Sequence, residues 1–232
     1  MTIRFPSWGM GLVAFSVSVS AFARDAAPAQ GATAEMTPGA TSAGSADSVG
    51  FADKKYRLGL RLGYALPLGY VDSRNKLSTA VSGQVPIWID AGYMLSPNIL
   101  VGLYGQYGFV QSRYCYGCST HDIRLGVQGQ YHLMPAASAD PWLALGVGYE
   151  VLSTAYSVYT ADLNGFEFLN LQAGADFKVA NLLAMGPFVS FSLGKYSSQS
   201  TNDPRSDPFP DRGSTTSMHE WLALGVKGTF AL

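Results

Sequence analysis

Few residues in this 232-residue chain have the type and spacing for chemistry. Cys115 and Cys118 stand three apart in the run Cys115-Tyr116-Gly117-Cys118, with His121 close behind. That spacing suits a disulfide, a pair of free thiols, or a fragment of a metal site. A structural zinc takes four ligands and only three candidates lie here. A reactive thiolate needs a helix terminus or a similar electropositive setting, and no helix is evident nearby. His121-Asp122 and Ser217-Met218-His219-Glu220 bring together the hydroxyl, imidazole and carboxylate types used in hydrolysis. Asp203, Asp207 and Asp211 offer oxygen to Ca²⁺ but lack the glycine spacing of a calcium loop. The last group is a set of charges at alternating positions: Arg57, Arg61, Asp90, Arg124, Glu150, Asp176, Lys178 and Lys227.

What holds these residues in place is a series of period-two segments. Apolar and non-apolar residues alternate over Tyr56 to Leu68, Val85 to Leu95, Ile99 to Gln111 and His121 to Leu133. They do so again over Trp142 to Ser153, Phe166 to Val179, Leu183 to Tyr196 and His219 to Leu232. Ile123, Leu125, Val127, Tyr131 and Leu133 against Arg124, Gly126, Gln128, Gln130 and His132 is the clearest case. Eight strands are predicted, each long enough to cross a bilayer at a tilt, which takes ~9–11 residues. Connections near 96–98, 135–140 and 180–182 are short, and those near 69–84, 112–120, 154–165 and 197–218 are long and polar. Short turns at one end and long loops at the other are the layout of a membrane barrel.

Composition agrees. Only 13% of residues are charged, about half the ~25% usual in soluble domains. The net charge is −1, so there is no basic footprint for nucleic acid. Beyond the N-terminus no run approaches the ~18 apolar residues of a membrane helix. Residues 1–23 read as a cleaved secretory signal: Arg4, the apolar stretch Gly9 to Phe22, then Ala21-Phe22-Ala23. Residues 24–53 are rich in Ala, Gly, Ser and Thr and read as a disordered linker, because they cannot bury enough apolar area to offset their chain entropy. In an exported chain the Cys115–Cys118 pair is best read as a disulfide.

Alternation does not say which face meets lipid; two observations do. The glycine-and-charge face suits a narrow lumen, where small residues leave room for the eight charges, five basic and three acidic. The aromatics of the apolar face sort by depth: Tyr93, Tyr131, Phe177 and Phe230 toward the end of the short turns, and Tyr64, Tyr107, Phe109 and Tyr149 toward the loop end. These form two interfacial girdles.

On this pattern residues 54–232 resemble the small eight-stranded outer-membrane barrels of Gram-negative bacteria: the transmembrane domain of outer-membrane protein A, outer-membrane protein X and the opacity-type antigens. The resemblance implies an all-β, antiparallel, up-and-down barrel, monomeric, in the outer membrane among lipid and lipopolysaccharide, and handled by the barrel-assembly machinery. The last strand keeps the alternation that machinery reads, with Leu232 where the family usually ends in Phe. No cofactor and no metal is expected. Lipid A deacylases of such membranes carry a His-x-Ser pair facing lipid; here the order is Ser217-x-His219, with the lumenal parity of Trp221. His121, Asp122, Ser217, His219 and Glu220 are therefore expected as rim residues bonded to water and lipopolysaccharide. The expected role is envelope structure or surface interaction through four loops, around a charged plug. A narrow channel is the first alternative and a lipid A-modifying enzyme the second.

Overall fold

The computed structural model describes residues 51–70, 76–113, 117–202 and 218–232. Residues 1–50, Cys115, the three loop carboxylates and Ser217 lie outside them, so the leader, the linker up to residue 50 and the Cys115–Cys118 bridge fall there too. After a 3-10 turn at Phe51–Asp53 come eight strands: β1 Tyr56–Gly69, β2 Val81–Met94, β3 Ile99–Ser112, β4 Ser119–His132, β5 Ala139–Tyr156, β6 Tyr159–Ala180, β7 Leu183–Thr201 and β8 Met218–Ala231. One helical turn, α1 (Leu77–Ala80), precedes β2. Each strand pairs antiparallel with the next, and β1 pairs with β8 from Arg57↔Ala231 to Gly69↔His219, which closes the barrel.

Two features depart from the expected pattern. The connection expected as a loop near 154–165 is sheet: β5 and β6 stay paired from Ala139↔Phe177 to Tyr156↔Tyr159. A two-residue turn joins them, and its first residue, Ser157, has the positive φ (54°) that such hairpins need. Thr154, Tyr156, Tyr159 and Thr160 are strand formers, and they outweigh the polar residues among them. Three long connections therefore remain at this end, not four.

The second departure is a bulge in β6. Glu167 opposes Gly194 and Leu169 opposes Leu193, with Phe168 inserted between. An extra residue reverses which side chains point inward. Leu163, Gly165 and Glu167 are buried before the bulge; Asn170, Gln172 and Asp176 are buried after it.

Burial is inverted relative to a soluble barrel. Leu60, Leu103 and Leu125, from the middle of three strands, are 53, 61 and 64% exposed. Arg61, Arg124, Glu150 and Asp176 on the opposite face are at most 2% exposed. The interior also holds Trp88, Trp142, Trp221 and Phe188. Leu77 of α1 is fully buried against this cluster at the loop end. Phe51 packs on Ala184 and Ala231 at the end that carries the short turns.

Candidate functional site: the barrel interior

The lumen is organised in layers, and Arg124 centres the one nearest the loops. Its guanidinium donates to Asp122 (2.9 Å), Glu150 (3.1 Å) and Glu167 (3.3 Å), and to the Ser192 hydroxyl (2.8 Å). Glu150 also accepts from Tyr196 (3.0 Å) and pairs with His219 Nε2 at 2.7 Å. The Tyr196 and His219 rings stack 4.0 Å apart. Tyr104 donates to Glu167 from across the lumen. It can cross because β4 and β5 are bare there: a Cβ on Gly126 would strike the Tyr104 ring, and one on Gly148 would stand 2.6 Å from its hydroxyl.

Arg61 holds the middle layer. It donates to Asp90 at 2.5 Å, to Gln172, and to Gln128 at 3.3 Å, while Gln128 donates to Asp90 at 3.0 Å. Gln172 and Asn170 carry the hydrogen bonds on to Glu167, so the middle layer and the Arg124 layer form one network. The third layer has Asp176 accepting from Trp142 (3.0 Å) and Thr229 (3.3 Å), with Lys227 3.7 Å away. His132 pairs with Asp140 at 2.7 Å. A cavity of about 10 Å³ among these groups, room for about one water, is lined by Asp90, Gln128, Gln130, His132 and Lys227.

Of the eight charges singled out in the sequence, Arg61, Asp90, Arg124, Glu150, Asp176 and Lys227 make up these layers. Arg57 is buried but bonds to backbone: the carbonyls of Lys54 (2.6 Å) and Phe51 (2.7 Å), with its guanidinium 4.4 Å from the Phe51 ring centroid. Lys178 is half-buried at the short-turn end and donates to the Pro135 carbonyl at 2.7 Å. Two residues expected at the rim are interior ones: Asp122 and His219 are 0 and 1% exposed. The neighbouring strands β5, β6 and β7 run past the ends expected at Ser153, Phe166 and Tyr196, so the wall rises beyond both residues. His121 faces outward and stacks on Tyr107, and Glu220 is half-buried.

The residues singled out in the sequence do not include Glu167, Asp140, Tyr104, Tyr196 or the amides Gln106, Gln128, Asn170 and Gln172, all of which belong to the network or its flanks. Parity places all but Glu167 inward: Tyr104 and Gln106 alternate with the outward Leu103 and Tyr107, Gln128 shares the face of Arg124, Asn170 and Gln172 that of Asp176, Asp140 that of Trp142, and Tyr196 that of Ser190 and Ser192. Among the described residues no three His, Cys, Asp or Glu side chains gather as a metal site.

Outside, Tyr64, Tyr93, Tyr107, Phe109, Tyr131, Tyr149, Phe177 and Phe230 are all exposed. Tyr93, Tyr131, Phe177 and Phe230 lie near the short-turn end, and the other four lie toward the loop end, where Phe166 and Phe168 add to them. An apolar outer wall lies between the two groups, around a closed, even-stranded sheet with a charged, hydrogen-bonded interior. In a membrane barrel of this kind the wall meets lipid. The chain is an outer-membrane-type β-barrel.

No family model matches this barrel, and no curated protein is detectably similar to it in sequence. Among solved structures 29 chains match. Neisserial surface protein A is 11% identical, over 74% of this chain and 95% of that one, with a TM-score of 0.49. The outer membrane protein OprG from Pseudomonas aeruginosa is 16% identical, over 77% and 98%, with a TM-score of 0.46. The attachment invasion locus protein of Yersinia pestis is 11% identical, over 76% and 99%, with a TM-score of 0.40. Within the described residues no helix is long and apolar enough to cross a membrane; this barrel would cross with its strands.

Proposed function

We propose that the protein is a non-enzymatic outer-membrane barrel with a plugged interior, serving envelope structure or surface interaction through its loop end. One observation carries the reading. Side chains cross the lumen in a connected network from Asp90 through Gln128, Gln172, Asn170 and Glu167 to Arg124, Glu150 and His219. Eight strands enclose a lumen just wide enough for side chains to fill, and here they bond to one another. The loop end has Leu77 and the opposite end Phe51 packed against the filling. Among the described residues, what faces outward at the loop end is the β5–β6 hairpin, with Val158 74% exposed at its tip.

Asp122 and His219, the groups best suited to catalysis, are committed to this network rather than presented to a substrate. The partners of such a barrel are outer-membrane lipid and lipopolysaccharide around the wall, and the assembly machinery during insertion. It acts as a monomer.

Single-channel conductance of the refolded protein in a planar bilayer tests the plug. Silence from a correctly folded barrel is the expected result. Reproducible current steps would overturn it and make the protein a narrow solute channel. A changed lipid A mass spectrum on expression would overturn the non-enzymatic reading in favour of lipid modification.

A further inference from the structure

We propose that the loop-side half of the lumen binds a monovalent metal cation of the alkali class, held by Gln84 Oε1, Gln106 Oε1 and Asp122 Oδ1. The inference rests on the plugged reading, since a water-filled lumen would solvate these atoms.

The first ground is charge. Among the described residues this layer contains the carboxylates Asp122, Glu150 and Glu167, all at most 1% exposed. Against them stand one guanidinium, Arg124, and one imidazole, His219. Three ionised carboxylates and at most two positive charges leave at least one negative charge uncompensated among the described residues, whatever the protonation of His219. The half nearer the short turns has no such deficit: Asp90, Asp140 and Asp176 are matched by Arg57, Arg61 and Lys227. A buried charge without a partner is costly and must be neutralised.

The second ground is independent of charge. Gln84 Oε1, Gln106 Oε1 and Asp122 Oδ1 are buried oxygen acceptors without a hydrogen-bond donor. They lie on the adjacent strands β2, β3 and β4. Gly108 on β3 opposes Asp122, and a Cβ there would strike Gln84 Oε1 and stand 3.4 Å from Asp122 Cβ. The Gln84 side chain thus lies over Gly108, toward Asp122. Gln106 Nε2 donates to Asp122 Oδ2 at 3.1 Å, which brings its amide to the same carboxylate. Three acceptors exceed what one water can serve with two protons. Two amide oxygens and one carboxylate oxygen are the hard donors that alkali cations accept in place of water. A net deficit as small as one charge fits a monovalent ion better than a divalent one, and Mg²⁺ gives up its waters too reluctantly to exchange them for these three oxygens.

The test is thermal unfolding of the refolded protein in detergent, in KCl or RbCl and in choline chloride of equal strength, with anomalous scattering from crystals grown in RbCl. A cation present at 100 times its Kd should raise the Tm by roughly 5–10 °C over choline. The Rb⁺ peak should stand against Gln84, Gln106 and Asp122. Asp122→Asn should abolish the difference. If that variant does not fold, Gln84→Leu removes one ligand with little change of volume and should shrink it. A silent barrel with equal Tm in choline and KCl and no peak would overturn the inference alone and assign the missing charge to a proton on Asp122. A peak elsewhere would also overturn it. Ion currents through the lumen would overturn the plug first, and this site with it.

Discussion

Replacing Arg124 with Met is the sharpest test of a dry, bonded interior. Met keeps most of the volume and removes the charge. The loss falls unequally on the three carboxylates. Glu150 keeps Tyr196 and His219, and Glu167 keeps Tyr104 and Asn170. Among the described residues Asp122 keeps only neutral amides, Gln106 donating to it and Gln84 beside it. Removing one partner of a buried ion pair costs about 3–5 kcal/mol, because the other charge remains buried. At 2–4 °C per kcal/mol for a chain of this size, the Tm should fall by roughly 6–20 °C. Because the strain falls mainly on Asp122, adding Asp122→Asn should return about 1–3 kcal/mol, the desolvation penalty of one unsatisfied group. Urea unfolding in lipid vesicles, followed by tryptophan fluorescence, measures both. A loss below about 1 kcal/mol with no rescue would refute the reasoning: water would be reaching the carboxylates, and the lumen would be hydrated.

Three further outcomes follow from the geometry. Leu103→Lys, on the outer wall at mid-strand, should cost about 2–4 kcal/mol in vesicles, whereas Val158→Lys at the hairpin tip should be neutral; equal effects would remove the lipid-facing assignment of the wall. Gly126→Val should displace the Tyr104 ring and cost about 1–3 kcal/mol by overpacking. Gly129→Val, three residues along the same strand but facing outward with its nearest neighbour 4.0 Å away, should change little, and a reversed order would contradict the assigned faces of β4. In planar bilayers, the wild-type barrel should remain silent where Arg124→Met admits sporadic current; identical silence in both would show that this layer is not what closes the lumen.

The fold was legible because a closed sheet in lipid leaves a strong imprint on sequence. Every strand must alternate, and short turns must collect at one end. What escaped reading depended on contacts between strands. Continued alternation from Asn170 assigns Glu167 to the lipid side, and only the inserted Phe168, visible in the pairing with Leu193 and Gly194, turns it to Arg124. A bulge leaves no mark in local hydropathy. Asp122 and His219 are legible by parity but were expected at the rim, because the neighbouring β5, β6 and β7 extend to Tyr156, Tyr159 and Thr201, beyond the ends that alternation gives at Ser153, Phe166 and Tyr196. The β5–β6 hairpin was misread for a related reason: outside the bilayer both faces of a ribbon can be polar, so the alternation that marks a strand fades while the pairing persists.

The glycines tie the two levels together. A lumen of eight strands has no space for a second layer of side chains, so each large residue must lie against bare backbone opposite. Tyr104 lies over Gly126 and Gly148, Trp142 over Gly174 and Phe188 against Gly225. Those approaches let polar groups reach partners on the next strand and across the lumen, as Trp142 on β5 reaches Asp176 on β6 and Tyr104 on β3 reaches Glu167, three strands away. Glycine on the inner face is thus what allows charge to be buried here at all: it provides the reach by which nearly every carboxylate meets a donor. Where that reach stops short among the described residues, at Asp122 Oδ1 and its two neighbouring amides, three buried acceptors are left without a donor.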